Sequence, residues 1–157
     1  MTIRIVSGVE IAVTIEVLWR YLIDFEDQPR WMKDAIEIRV KQRSEEVVGT
    51  VFETLTKVGP LKTIDVMKVV GVIENKMIEI EHQGLIGGRG FFEVHDFTPG
   101  NSLFYWIEEL TFPWHLGGPV AEQLAGVVLR QIFQRDLNNL RDLVHEEQGA
   151  RLGEDGK

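Results

Sequence analysis

The residues able to do chemistry in this 157-residue chain are few and scattered. Four histidines stand at positions 82, 95, 115 and 145, and there is no cysteine. No pair of these histidines has the i, i+4 spacing of helical metal ligands, and without thiols there are no disulfides and no thiolate metal sites. No metal and no cofactor is expected. A phosphate loop, a Gly-x-Gly-x-x-Gly fingerprint and a Gly-x-Ser-x-Gly elbow are all missing from the sequence. What remains is acid–base chemistry. Phe104, Trp106, Glu108, Leu110 and Phe112 alternate with Leu103, Tyr105, Ile107, Glu109 and Thr111, and the first set is the bulkier. If that set faces inward, Glu108 sits in an aromatic wall. Desolvation there raises a carboxyl's pKa and suits it to general acid or base work. The competing placement is a solvated rim, or a pair with a basic group.

Two histidines are candidate partners for Glu108. His82 alternates with Ile78 and Ile80, so it is either an acid–base group or a hydrogen-bonded residue of the core or rim. His95 alternates with Phe91, Glu93 and Phe97. Either that set faces inward, beside Glu108, or the opposite set of Phe92, Val94 and Asp96 does. His115 follows Trp114 in a loop, at a cavity mouth or on open surface. Arg89 lies among Gly87, Gly88 and Gly90, either as a gate for an anionic ligand or as an ordinary surface arginine.

These residues need elements to position them. The longest helical pattern runs over 119–146: Phe133, Leu137, Leu140 and Val144 recur at spacings of three and four, with Leu129 and Leu143 beside them. Pro119 suits the first turn, and Gly149 closes the run. At 1.5 Å per residue this helix is about 40 Å long, and a curved sheet is needed to bury its face. On that same sector the early turns carry Ala121, Ala125 and Val128, smaller than the residues that follow. The expectation is a pocket of several hundred Å3, roughly the size of small-molecule sites, under the first half of the helix, opening near residues 87–89 and 114–115. Val120, Leu124 and Val127 make a second apolar strip on the helix's far side.

Before the helix, residues 3–12 alternate as a strand. Thr14 caps a short helix to about Leu22, and Asp24 caps a second turn that Pro29 interrupts. Trp31 is expected to plug the space between these short helices and the sheet. Six further strands follow over 36–42, 50–58, 62–73, 76–83, 88–97 and 102–111, joined by short turns that imply antiparallel hairpins. The 62–73 segment is apolar on both faces near its end, so its phase stays open.

Composition limits the functions available. Net charge is −8 with no Lys/Arg cluster, which disfavours nucleic acid as a partner. With 44% hydrophobic and 27% charged residues the chain reads as globular. The N-terminal residues lack the apolar core of a signal peptide, no apolar run is long enough for a membrane span, and a cytoplasmic protein is expected. The pattern reads as one domain over 1–147 with a disordered polar tail over 148–157.

The order of elements and motifs resembles the SRPBCC superfamily, the START-like or Bet v 1-like helix-grip proteins that include polyketide cyclase/dehydrase and lipid-transport proteins. The motifs are Val17-Leu18-Trp19, the run from Asp24 to Trp31, Gly49-Thr50, Pro99-Gly100-Asn101-Ser102, Trp106-Ile107-Glu108-Glu109-Leu110, Phe112-Pro113 and Gly117-Gly118-Pro119. The resemblance implies an α+β fold: a seven-stranded antiparallel curved sheet around a long C-terminal helix, with two short helices after the first strand. It also implies an apolar cavity between helix and sheet, with the Trp-x-Glu positions facing inward. Cavity residues are then expected to include Trp106, Phe104, Leu110, Phe91 and Ile80. Arg89, Trp114, His115, Ala121, Ala125 and Val128 complete the expected ligand site, and Glu108, His95 and His82 are the acid–base candidates.

Three readings follow. The first is a carrier that binds a hydrophobic small molecule such as a lipid, polyketide or isoprenoid. The second is a polyketide cyclase or dehydratase whose Glu108 and a histidine act as acid and base. The third is a ligand-free interaction module in which Val120, Leu124 and Val127 form a subunit interface, with a homodimer as the assembly. A cavity apolar except at its mouth favours the first, and two titratable groups within hydrogen-bond reach in a deep pocket favour the second. A filled core with an exposed apolar patch favours the third.

Overall fold

A computed structural model describes residues 2–155. Strand β1 (Thr2–Ile11) is followed by helix α1 (Ile15–Ile23) and a 3-10 turn (Phe25–Arg30). The strands β2 (Ala35–Gln42), β3 (Val51–Val58), β4 (Leu61–Ile73), β5 (Met77–Gln83), β6 (Gly87–Thr98) and β7 (Asn101–Thr111) come next. A short 3-10 turn (Trp114–Leu116) leads into helix α2 (Gly118–Asp155). The strands form one antiparallel sheet in the order β1-β7-β6-β5-β4-β3-β2, so the chain returns its last strand to the side of its first. This is the helix-grip arrangement: a seven-stranded antiparallel sheet and a long C-terminal helix.

Register irregularities bend the sheet. They fall in the β2–β3, β4–β5 and β6–β7 pairings, and each inserts a local kink and added twist. The irregularity between Val69 and Gly71 also resolves the unreadable phase of β4. Val69 is fully buried, and beyond the shift Val72 too packs against the core, so both parities of the segment contribute apolar side chains. On β6 the inward set is Phe92 and Val94. His95, at 54% side-chain exposure, lies on the opposite parity.

The core gathers where α2 crosses the bent sheet. Phe133, Leu137, Leu140 and Val144 are all buried, and the Phe133 ring stacks on Trp106 with centroids 4.3 Å apart. Trp31 is 1% exposed and meets Phe92, Phe104 and Trp106 at centroid distances of 6.1 to 6.5 Å, which is the plug that its position after Pro29 suggests. Thr14 caps α1, accepting from the Val17 backbone N–H at 3.4 Å, whereas the Asp24 side chain makes no cap bond to the following turn. Polar contacts pin the helix along its length: Gln134 Nε2 donates to the Gly8 carbonyl, Asn139 Nδ2 to the Trp31 carbonyl, and the Ala12 amide to His145 Nε2.

Two features of α2 differ from the sequence pattern. The helix continues beyond Gly149 as far as Asp155, so the polar segment from residue 148 extends it; Gly156 and Lys157, the last of that segment, lie outside the described residues. One side of its first half is open, leaving Val120, Leu124, Val127 and Val128 all exposed. Among the described residues no helix is long and apolar enough to cross a membrane.

Candidate functional site

A cavity of about 140 Å3 opens between the concave face of the sheet, the segment after the first 3-10 turn, and the middle of α2. It is smaller than the pocket expected from the small residues of the helix, and it lies farther along. Leu129 and Phe133 form its helical wall, while Ala121, Ala125 and Val128 do not line it. Val128 is 47% exposed. Most of the wall is apolar: Ile38, Phe52, Met67, Ile80, Phe92 and Trp106 contribute alternate positions of six strands.

Its polar feature is built on adjacent strands. Glu108 on β7 and His82 on β5 both face inward across Gly90 of β6, which pairs with Glu108 on one side and Ile80 on the other. Gly90 leaves the room: a methyl group there would stand 2.7 and 2.9 Å from the two Glu108 carboxylate oxygens. Glu108 Oε2 meets His82 Nε2 at 2.8 Å, and Glu108 Oε1 accepts from the Trp106 indole N–H at 2.7 Å. The side chains of His82 and Glu108 are only 12% and 7% exposed.

The electrostatics of His82 follow from these neighbours. Burial of the ring is the largest single influence and pushes its pKa down. The charge of Glu108, the hydrogen bond to Glu108 and the charge of Asp65 together outweigh it, so the imidazole titrates above its ordinary value. The result is a buried His82–Glu108 pair in a mostly apolar wall. Such a pair can donate a proton, accept one, or hold a ligand carbonyl or hydroxyl.

Of the acid–base candidates, Glu108 and His82 come together here and His95 does not. His95 stands on the other face of the sheet, 3.5 Å from Glu93 and against the Tyr105 ring. Of the expected ligand residues, Trp106, Leu110 and Ile80 line the cavity. Phe104 is fully buried behind it, in the cluster with Trp31 and Phe92. Phe91 and Arg89 occupy the outward parity of β6, where Arg89 pairs with Glu79 at 2.9 Å. Trp114 is 88% exposed and His115 is exposed beside it, both away from the cavity wall.

Two carboxylates of the cavity escape sequence reasoning. Asp65 belongs to β4, whose phase the bulge concealed, and it faces inward two positions from Met67. Asp34 follows the first 3-10 turn and works with a third carboxylate, Asp136 of α2. Asp136 has a fully buried side chain that accepts from the Lys33 amide at 3.2 Å and from the Arg135 guanidinium at 3.0 Å. Burial first, and then Asp34 beside it, push the Asp136 carboxyl up to about 8 against the opposing pull of Arg135 and Lys33. A signal for Asp136 does exist in the sequence: it lies three residues after Phe133 and four before Leu140, on the apolar stripe itself.

The fold is similar to that of a START superfamily protein from Mycobacterium smegmatis, at 18% identity over 91% of this chain and 97% of that one, with a TM-score of 0.76. It is similar also to the aromatase/cyclase Zhui from a Streptomyces species, at 11% identity over 92% and 94% of the two chains and a TM-score of 0.79. A protein from Thermus thermophilus aligns at 16% identity over 92% and 99%, with a TM-score of 0.76. Identities this low speak for the fold. Among curated proteins none matches the sequence at a significant level. Residues 2–145, nearly the whole chain with both halves of the His82–Glu108 pair among them, match the family described as polyketide cyclase / dehydrase and lipid transport, and the chain belongs to that family.

Proposed function

We propose that this protein binds an apolar small molecule in the cavity and moves a proton on it with the His82–Glu108 pair, as a cyclisation or dehydration requires. The observation that carries the proposal is the 2.8 Å contact between two titratable side chains inside a mostly apolar pocket. Proton transfer needs groups of matched basicity within reach of the reacting atom and shielded from water. Glu108 holds His82 through Nε2, and Nδ1 is the ring nitrogen left for a ligand carbonyl or enol. Family membership agrees with such a cavity and leaves substrate and reaction open.

A simple test is exchange of α-protons for deuterium on an apolar aryl ketone in heavy water, followed by NMR. Wild-type protein is expected to accelerate the exchange by about two orders of magnitude, the usual contribution of a positioned acid or base. Glu108→Gln is expected to return the rate to background while the ketone still binds. Equal rates for both proteins would remove the catalytic role.

The second reading is a carrier for the same class of molecule. It is favoured by the saturation of Glu108, since both carboxylate oxygens already have donors, Trp106 and His82. In that case native mass spectrometry of the purified protein shows a bound apolar molecule, and neither protein exchanges the ketone.

A further inference from the structure

The polar wall of the cavity has a sign. The charged side chains lining it are Asp34, Asp65 and Glu108, with His82, and none is a lysine or arginine. Glu108 is occupied by Trp106 and His82. Asp34 has a cation close by: its Oδ1, though without a hydrogen bond, lies 3.7 Å from the Arg135 guanidinium. Asp65 is different. Its Oδ2 accepts from Thr63 at 2.9 Å, whereas its Oδ1 is buried with no donor. That oxygen rests over Gly84, where a methyl group would approach it to 2.5 Å, so the glycine makes room for the carboxylate. A buried acceptor without a donor is costly in a finished core and becomes useful in a site whose ligand supplies the donor.

Resting on the reading of this cavity as a ligand site, we propose that Asp65 is the anchor for the ligand's polar end, and that the ligand is an apolar molecule carrying a hydrogen-bond donor without negative charge, a hydroxyl or a protonated amine. A ligand carboxylate has no proton to give Asp65 and is repelled by it. It finds no free cation, because the lining holds no lysine or arginine and His82 is already held by Glu108 at 2.8 Å. The pocket therefore discriminates against fatty acids and other apolar carboxylates, by an unpaired charge rather than by shape.

The test uses one skeleton with three polar ends: naphthylmethanol, naphthylmethylamine and naphthoate, each competing at neutral pH against an apolar fluorescent probe bound to the full chain. The alcohol and amine are expected to displace the probe at concentrations at least about tenfold below the naphthoate. An amine better than the alcohol marks recognition of charge, and equality marks recognition of the donor alone. Asp65→Asn, which keeps the shape, is expected to bring the naphthoate within about threefold of the alcohol. Gly84→Ala displaces the carboxylate without removing it, and is expected to weaken alcohol and amine while probe binding persists. If the probe binds and the naphthoate competes as well as the others, or if Asp65→Asn leaves the order unchanged, the assignment of Asp65 is overturned and the cavity reading stands. If the probe does not bind at all, the cavity reading falls and this inference with it.

Discussion

The carboxylate of Glu108 accepts from two buried donors on two strands, and the absent side chain of Gly90 gives it the space to do so. Its partner shows what that charge is for. His82 is buried, and burial alone makes an imidazole harder to protonate. Glu108, with help from Asp65, reverses that direction. Two opposed influences on one ring give a clean prediction. In Glu108→Gln the desolvation remains and the main compensating charge is gone, so the His82 pKa is expected to fall from above about 6.5 to below it. NMR titration of the His82 ring in the two proteins measures this. If His82 titrates identically in both, the pair does not share charge, and the acid–base reading loses its physical basis.

At the scale of elements, Asp136 joins α2 to the segment between the first 3-10 turn and β2, through Lys33 and Asp34. Its carboxyl ionises at 3.8 in an unconstrained chain and near 8 here, so the folded protein holds that proton more tightly than the unfolded one. The pair's contribution to stability is therefore full below about pH 4 and is lost as pH climbs toward about 8, at a slope of up to about 1.4 kcal/mol per pH unit for one proton. Asp136→Asn cannot ionise. Its unfolding free energy, from chemical denaturation across that window, is expected to decline less steeply than that of wild type. Parallel slopes would mean that Asp136 is already ionised in the fold. The same elements show what a sequence can and cannot reveal. Strand β7 was legible because its two faces differ in bulk, and β5 because Ile78, Ile80 and His82 alternate with charged residues. Strand β6 was not, because Phe91 and Phe92 are aromatic neighbours and periodicity cannot choose between them. Pairing chose: Phe92 sits opposite Trp106 and Ile78, both inward. Strand β4 was illegible because its bulge changes phase midway, and Asp65 stayed hidden with it.

The whole molecule decides where the helix meets the sheet, and this is the least local of its properties. The period of α2 identified its apolar face, and Phe133, Leu137, Leu140 and Val144 are buried as that period implies. How much sheet stands opposite each turn depends on the bends of the sheet and on the return of β7 to β1. The first turns consequently keep one open side, with Val120 and Leu124 more than half exposed, and the cavity begins only at Leu129. Small side chains at Ala121 and Ala125 imply a void beneath them. The fold instead makes it from concavity, between Leu129 and Phe133 on one side and six strands on the other. These two geometries are separable by bulk. Leu129→Trp adds a ring to a side chain already on the wall of a cavity of about 140 Å3, and is expected to weaken binding of an apolar fluorescent probe by at least about tenfold. Ala125→Trp adds more volume one turn earlier, outside the wall, and is expected to leave probe affinity within about twofold of wild type. Circular dichroism and thermal melts of both variants separate blockage from unfolding, since overpacking a filled site typically costs about 1–3 kcal/mol. Blockage by Ala125→Trp together with normal binding in Leu129→Trp would move the site back beneath the early turns and detach it from His82 and Glu108.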